Sequence, residues 1–149
     1  MSASNSKILV LNGPNLNRLD LRDTNTYGSM NWEQLVTFIN SCAKELGLEV
    51  EVKQSNSETE IIEWLQGAAQ SHTPVIINPA AFTHYSYAIR DAVELIKAPV
   101  IEVHLSNPMA REEFRHTSVV SGVANGTIAG FGPNSYHLAL IAMSKLLSK

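Results

Sequence analysis

Ile8-Leu9-Val10-Leu11-Asn12-Gly13-Pro14-Asn15-Leu16-Asn17, continuing through Arg18 to Tyr27-Gly28, is the stretch from which the fold is read. Four consecutive apolar residues, Ile8 to Leu11, suit a short strand buried on both faces. The residues from Asn12 to Gly28 then form a long loop before the next patterned helix. It carries four asparagines, two arginines and a tyrosine, with Gly and Pro only at its ends. Connections at this point of an α/β unit usually run to ~2–6 residues, and much longer ones are more often functional or disordered. A long polar loop at the carboxyl end of a first strand is where such a protein keeps its chemistry.

Downstream, Leu35, Phe38, Ile39, Cys42, Ala43 and Leu46 recur on one helical face. Asn31 with Gln34 makes a capping box at its start, and Gly47 a stop at its end. Leu48 to Lys53 alternates strictly, which predicts a strand with one wet face near a sheet edge. Ser57-Glu58-Thr59-Glu60 reads as a second capping box, opening a helix through Ile61, Leu65 and Ala69 that ends at His72-Thr73-Pro74. Val75-Ile76-Ile77 reads as a buried central strand. A loop from Ala80 to His84 leads to a helix over about Tyr85–Ile96, with Tyr85, Ala88, Ile89, Ala92 and Val93 inward. Pro99 to Leu105 is a fourth strand, and Asn107-Pro108 starts a short helix over Ala110–Phe114. Val119–Gly122 is a small extra element, Thr127–Phe131 a fifth strand, and Pro133–Leu147 a closing helix.

Strands alternating with helices imply βαβ crossovers and a parallel sheet covered on both faces. The expected fold is a flavodoxin-like, doubly wound α/β sandwich with strand order 2-1-3-4-5, a single domain over 1–149 whose first six residues are disordered. Ligands in such sheets bind beyond the carboxyl ends of the strands, where strand order reverses, here between strands 1 and 3. The loops carrying Asn15, Arg22 and Tyr27, then Asn78 and His84, then His104, Ser106 and Arg115 should therefore meet in one cleft.

Composition narrows the function. A net charge of −3 with no basic block gives nucleic acid or a membrane surface little to hold. The single Cys42 rules out an intrachain disulfide and every multi-cysteine metal motif, and its place on an apolar helical face reads as core. The N-terminal apolar run is too short for a signal peptide, and no run reaches the ~20 residues of a membrane span. The expected location is the cytoplasm. Gly126, Gly130 and Gly132 lack the dinucleotide spacing, the five histidines lack metal-ligand spacing, and no G-x-S-x-G elbow occurs.

Glu102-Val103-His104 is the most informative short feature. Residues two apart on a strand face the same side, so the carboxylate can bond one imidazole nitrogen and leave the other oriented for acid–base work. The same pair also reads as a strand-end ion pair that only stabilises. Arg22 with Tyr27 offers a second chemistry, because a cation close to a tyrosine favours the phenolate, a base. The plain alternative is a packed tyrosine beside a solvated arginine. Arg111, Arg115 and the backbone near Ser106 suit a carboxylate ligand, although Arg-Glu-Glu-Phe-Arg equally reads as a solvated helix face.

Taken together, the chain resembles the type II 3-dehydroquinate dehydratases over nearly its whole length. The resemblance rests on Leu-Asn-Gly-Pro-Asn-Leu-Asn (11–17), Arg22 with Tyr27-Gly28, Gln54-Ser55-Asn56, and Asn78-Pro79-Ala80-Ala81-Phe82-Thr83-His84. It continues in Ala88-Ile89-Arg90-Asp91-Ala92, Glu102 to Asn107, and Ala110 to Arg115. It implies Tyr27 as the base that removes a proton from C2 of 3-dehydroquinate, Arg22 stabilising its phenolate from a mobile lid, and Asn15 holding the water that stabilises the enolate. His104, oriented by Glu102, would protonate the departing C1 hydroxyl. Asn78 and the backbone at Leu105-Ser106 match the substrate-carboxylate site, and His84 and Arg115 the groups on the ring hydroxyls. Asp91 would reach a neighbouring subunit's site in a dodecamer of trimers. An anti elimination is implied, with no metal, Schiff-base lysine or organic cofactor.

The family usually reads Leu-Gly-x-Arg-Glu-Pro in the lid, where this chain has Leu19-Asp20-Leu21-Arg22-Asp23-Thr24. Losing Gly removes easy access to positive φ and losing Pro frees the backbone, so altered lid kinetics or substrate preference is expected. Tyr85, Tyr87 and Pro108-Met109 are further departures that remove no chemical group. Two other readings stay open: a non-catalytic module binding a cyclic polyhydroxy acid, and a flavodoxin-type mononucleotide carrier.

Overall fold

Alternation within the first strand decides how the layers are filled. In a computed structural model describing residues 7–149, β1 (Lys7–Asn12) sends Ile8 and Val10 to one side and Leu9 and Leu11 to the other. The expectation of disorder over residues 1–6 lies outside the described residues. On the first side Ile8 and Val10 meet Leu35, Ile39 and Ala43 of α2 (Trp32–Glu45) and Ala139, Leu140 and Met143 of α5 (Asn134–Leu147). On the second, Leu9 and Leu11 meet Ile61, Leu65 and Ala68 of α3 (Glu58–Ser71) and Ile89, Ala92 and Val93 of α4 (Tyr87–Glu94). A strand covered on both faces needs an unbroken apolar run, which is what residues 8–11 supply.

The sheet has five parallel strands in the order β2 (Glu49–Gln54), β1, β3 (Val75–Asn78), β4 (Val100–His104), β5 (Gly126–Ala129). The expected order and layering are therefore correct, and the switch point lies between β1 and β3. β2 is an edge strand, as its alternation required. Helix caps follow the sequence in most places. Asn31 accepts from the Gln34 backbone at 2.8 Å while the Gln34 side chain accepts from the Asn31 N–H at 3.0 Å, a complete capping box. Ser57 makes only half of one, because the Glu60 carboxylate instead accepts from Ser55 Oγ at 2.5 Å.

Three expectations need correction. The helix placed at Tyr85–Ile96 runs only over Tyr87–Glu94, because Ser86 caps it by accepting from the Ile89 N–H at 3.1 Å. Tyr85 and Ala88 are consequently exposed rather than inward, and Ile89, Ala92 and Val93 keep the buried face. The single short helix over Ala110–Phe114 is two 3₁₀ turns, Pro108–Ala110 and Glu113–His116, separated where Arg111 is extended (φ −116°, ψ −162°). Finally, the loop after β1 is not structureless. A 3₁₀ segment covers Leu16–Leu21, burying Leu16 and Leu19, and α1 covers Thr24–Tyr27. Asp23 caps α1 by accepting from the Asn25 N–H at 3.0 Å and the Thr26 hydroxyl at 3.2 Å. Among the described residues no helix is long and apolar enough to cross a membrane.

Candidate active site

The carboxyl ends of β1 and β3 approach each other so closely that only glycine fits between them. The Gly13 N–H donates to the Asn78 carbonyl at 2.8 Å, and a Cβ on Gly13 would stand 2.4 Å from the Pro79 carbonyl oxygen. Beyond this junction the chain turns through Asn15, whose φ of 72° is left-handed, a region asparagine tolerates better than most residues. The Gln54-Ser55-Asn56 block explains how the turn is held. Asn56 Oδ1 accepts from the Asn15 N–H at 2.9 Å, and Gln54 Nε2 donates to the Gly13 carbonyl at 3.1 Å. Across the junction Ala80 also takes positive φ, 54°, steadied by its N–H donating to Asn78 Oδ1 at 3.1 Å. Left-handed conformation costs such a residue roughly 1–2 kcal/mol, strain of the kind found where a site must be shaped.

A cleft of about 130 Å³ opens above these turns. Asn15, Arg22 and Tyr27 line it from the first loop, and Asn78 and His84 from the end of β3 and its 3₁₀ turn (Ala80–His84). His104, Leu105, Ser106 and Arg115 line it from β4 and beyond, together with Arg111. Every cleft residue that topology predicted is present. Asp91 is elsewhere: it is exposed on α4 and paired with Arg90 at 2.9 Å. Glu102 does not face the cleft but lies directly behind His104. No lysine lines the cleft. Among the described residues no cluster of three or more His, Cys, Asp or Glu is arranged to hold a metal ion.

Tyr27 lies between two guanidinium groups. Arg22 donates to its hydroxyl and stands 3.7 Å from the ring centroid, and Arg111 stands 5.0 Å from it. Burial pushes the Arg22 pKa below its ordinary value; attraction to Tyr27 opposes this, and repulsion from Arg111 and Arg115 adds to it. Arg22 is thus a cation held partly out of water, with the Tyr27 hydroxyl as its hydrogen-bond acceptor. Residues 19–24 reach this placement without a glycine. Asp20 takes no positive φ, and its carboxylate accepts a two-pronged bond from Arg18 at 3.0 Å. At the end of β4, His104 Nε2 lies 2.5 Å from Glu102 Oε2, leaving its other ring nitrogen free of that carboxylate. Arg111 Nη1 donates to Ser106 Oγ at 3.2 Å, His84 Nδ1 lies 2.9 Å from the Thr117 carbonyl, and Arg115 Nε donates to Glu112 at 2.9 Å.

Two buried polar clusters support the cleft, one on each face of the sheet, and neither was foreseen. On the α5 side Tyr136, 1 % exposed, donates to Asn12 Oδ1 at 2.6 Å and accepts from Asn78 Nδ2 at 2.9 Å. Burial pushes the Tyr136 phenol far up, partly offset by the Asn78 bond, so it stays protonated and keeps donating. The Asn78 amide is thereby locked in one orientation. Replacing Tyr136 with Phe strands two buried amide atoms, and urea unfolding is expected to show a loss of about 1–3 kcal/mol; a loss under ~0.5 kcal/mol would contradict this account. On the α4 side Thr83, Ser118 and Ser121 surround Glu102. Ser118, Ser121 and Tyr136 lie 16, 19 and 58 residues from the groups they serve, so no local pattern could reveal them.

Fold and cleft together define a doubly wound α/β protein whose switch-point cleft is lined by a carboxylate-held imidazole and an arginine-held phenol. Comparison with known proteins makes this specific. Residues 6–144 match the family described as dehydroquinase class II. A 3-dehydroquinate dehydratase of Caldicellulosiruptor bescii is 51 % identical over 142 residues, 95 % of this chain and 98 % of that protein. Another, from Dictyoglomus turgidum, is 52 % identical over 143 residues, 96 % of this chain and 99 % of its own. The crystal structure of the type II dehydroquinase from Propionibacterium acnes superposes with a TM-score of 0.90 at 51 % identity, covering 97 % of each chain. The chain belongs to the class II dehydroquinase family, and is an enzyme of the hydro-lyase type.

Proposed function

We propose that this enzyme carries out the reversible anti dehydration of 3-dehydroquinate to 3-dehydroshikimate through an enolate, with Tyr27 as base and His104 as acid. The observation that carries this reading is that Tyr27, held by Arg22, and His104, backed by Glu102, line one small cleft. A binding module would need neither a paired phenol nor a paired imidazole. Proton loss beside a ketone and departure of a hydroxyl across the ring require a base and an acid in separate places. The Tyr27 phenolate, stabilised by Arg22, takes the C2 proton, and Asn15 holds the water that stabilises the enolate. His104 then protonates the C1 hydroxyl, which leaves as water. Asn78 and the Leu105-Ser106 backbone receive the substrate carboxylate, while His84 and Arg115 hold the ring hydroxyls. The absence of a lysine from the cleft lining leaves no group for a Schiff base.

The exposed Asp91 is suited to act at a neighbouring subunit, and we place the enzyme in a dodecamer of trimers in the cytoplasm. The direct test is to incubate the protein with 3-dehydroquinate between about pH 6 and 9, the range in which these groups would operate, and follow the enone absorbance of the product. The absorbance is expected to rise without added metal or cofactor. A flat trace across the whole range would support the binding module instead.

A further inference from the structure

Glu102 has no exposed surface, and every group that reaches its two oxygens is a donor. Oε1 accepts from Ser121 Oγ at 2.6 Å and from Ser118 Oγ at 3.0 Å. Oε2 accepts from Thr83 Oγ1 at 2.5 Å and lies 2.5 Å from His104 Nε2. The hydroxyl directions are set by their other partners. Ser118 Oγ already accepts from the N–H groups of Val120 and Ser121, at 3.1 and 3.0 Å, so its one hydrogen is shared among Glu102 Oε1 and Oε2 and Thr83 Oγ1, the last at 2.7 Å. Ser121 Oγ accepts from Thr127 Oγ1 at 3.1 Å and so has its own hydrogen for Glu102. An ionised carboxylate offers about four acceptor positions. Ser121, Thr83 and His104 occupy three of them and Ser118 faces both oxygens, so a proton added to either oxygen would disturb a donor.

We infer that Thr83, Ser118 and Ser121 are positioning residues for the acid step: by donating to Glu102 they hold it as an anion and keep both nitrogens of His104 protonated until the substrate takes one proton. This rests on the reading of His104 as the acid. When the C1–O bond breaks, its electron pair leaves with oxygen, the imidazolium proton goes to that oxygen, and water departs from a neutral imidazole. Glu102 keeps its charge throughout. A carboxylate short of donors would take the proton on Nε2, leaving a neutral imidazole whose other N–H is a far weaker acid.

The electrostatics of the surroundings agree. Burial pushes the Glu102 carboxyl up, but bonding and attraction to His104 and the hydroxyls of Ser121 and Thr83 outweigh it, leaving the group below the ordinary carboxylate range. His104 is the one titratable group bonded to it. His84, Arg115 and His116 line a cavity of about 200 Å³ behind the pair, yet they bond to Thr117, Glu112 and Arg111 respectively. The sign follows. A depressed native pKa gives stability that is present above the unfolded carboxylate value and lost as pH falls through the native one. Removing a donor raises the native pKa and moves that loss to higher pH.

The test is to label glutamate carboxyls with ¹³C, assign Glu102 with Glu102→Gln, and follow its titration by NMR beside the pH profile of kcat. Ser121→Ala and Thr83→Val are each expected to raise the Glu102 midpoint by about one pH unit, the worth of a hydrogen bond to a charged group, and to lift the acidic limb of kcat with it. Ser121→Thr, which keeps the hydroxyl, restores the wild-type midpoint. An unmoved midpoint, or a kcat reduced equally at every pH, would overturn the inference. Ser121 is half-buried on a 3₁₀ turn (Ser121–Val123), so its variants decide the matter even if Thr83→Val does not fold. The NMR reading needs no turnover. A shifted midpoint in a protein that never dehydrates 3-dehydroquinate would overturn the proposed reaction and leave the hold on Glu102 standing.

Discussion

Tyr27→Phe is expected to lower kcat by about 10²–10⁴, the usual contribution of a single acid–base group, and to leave stability within about 0.5 kcal/mol of wild type. The two halves of this expectation have separate causes. Among the described residues the Tyr27 hydroxyl bonds only to Arg22, on the same loop, so its loss breaks no hydrogen bond between separate segments there. The ring remains between Arg22 and Arg111, with its packing against the core intact. What disappears is the hydroxyl oxygen to which Arg22 donates. Single-turnover and steady-state kinetics with 3-dehydroquinate, together with thermal unfolding, would check both halves. Turnover equal to wild type would end the assignment of Tyr27 as base. A collapse in stability would instead mean that the lid is part of the core.

Gly13→Ala is expected to destabilise the protein by about 3 kcal/mol, at the upper end for overpacking, because the obstacle is backbone and not a side chain that can rotate away. The added Cβ would meet the Pro79 carbonyl oxygen at 2.4 Å, its carbon at 2.8 Å and the Asn78 carbonyl oxygen at 3.3 Å. At this chain length the melting temperature should fall by roughly 6–12 °C. Activity should fall as well, since Asn15 and Asn78 are carried by the two segments forced apart. Gly67→Ala is the matching control. That glycine lies inside α3 with open space around it, so alanine there should stabilise by roughly 0.5–1 kcal/mol. Equal effects at the two positions would show that the close approach of β1 and β3 is not what constrains Gly13.

Strand order and layering were legible because they rest on periodicity. Residues 8–11 and 75–77 are unbroken apolar runs and residues 48–53 alternate, which separates central strands from an edge. The switch-point rule then brings Asn15, Arg22, Tyr27, Asn78, His84, His104, Ser106 and Arg115 together, and all of them line the cleft. Errors came where a local bond overrode pattern. Ser86 moved the start of α4 past Tyr85, and the extended Arg111 divided one expected helix into two turns. The apolar character of Tyr85 suggested burial, yet its non-helical backbone leaves it outside.

The chain by itself determined the parallel sheet, the cleft at its reversal and the chemical groups in that cleft, because each follows from residue type and spacing along one segment. It could not determine what stands behind those groups. Thr83, Ser118 and Ser121 around Glu102, and Tyr136 between Asn12 and Asn78, come from segments that meet only when the helices close over opposite faces of the sheet. A serine or tyrosine carries no local mark of the partner it will find, since that partner is chosen by the packing of whole elements. Tertiary structure therefore decides how firmly His104 and the Asn78 amide are held.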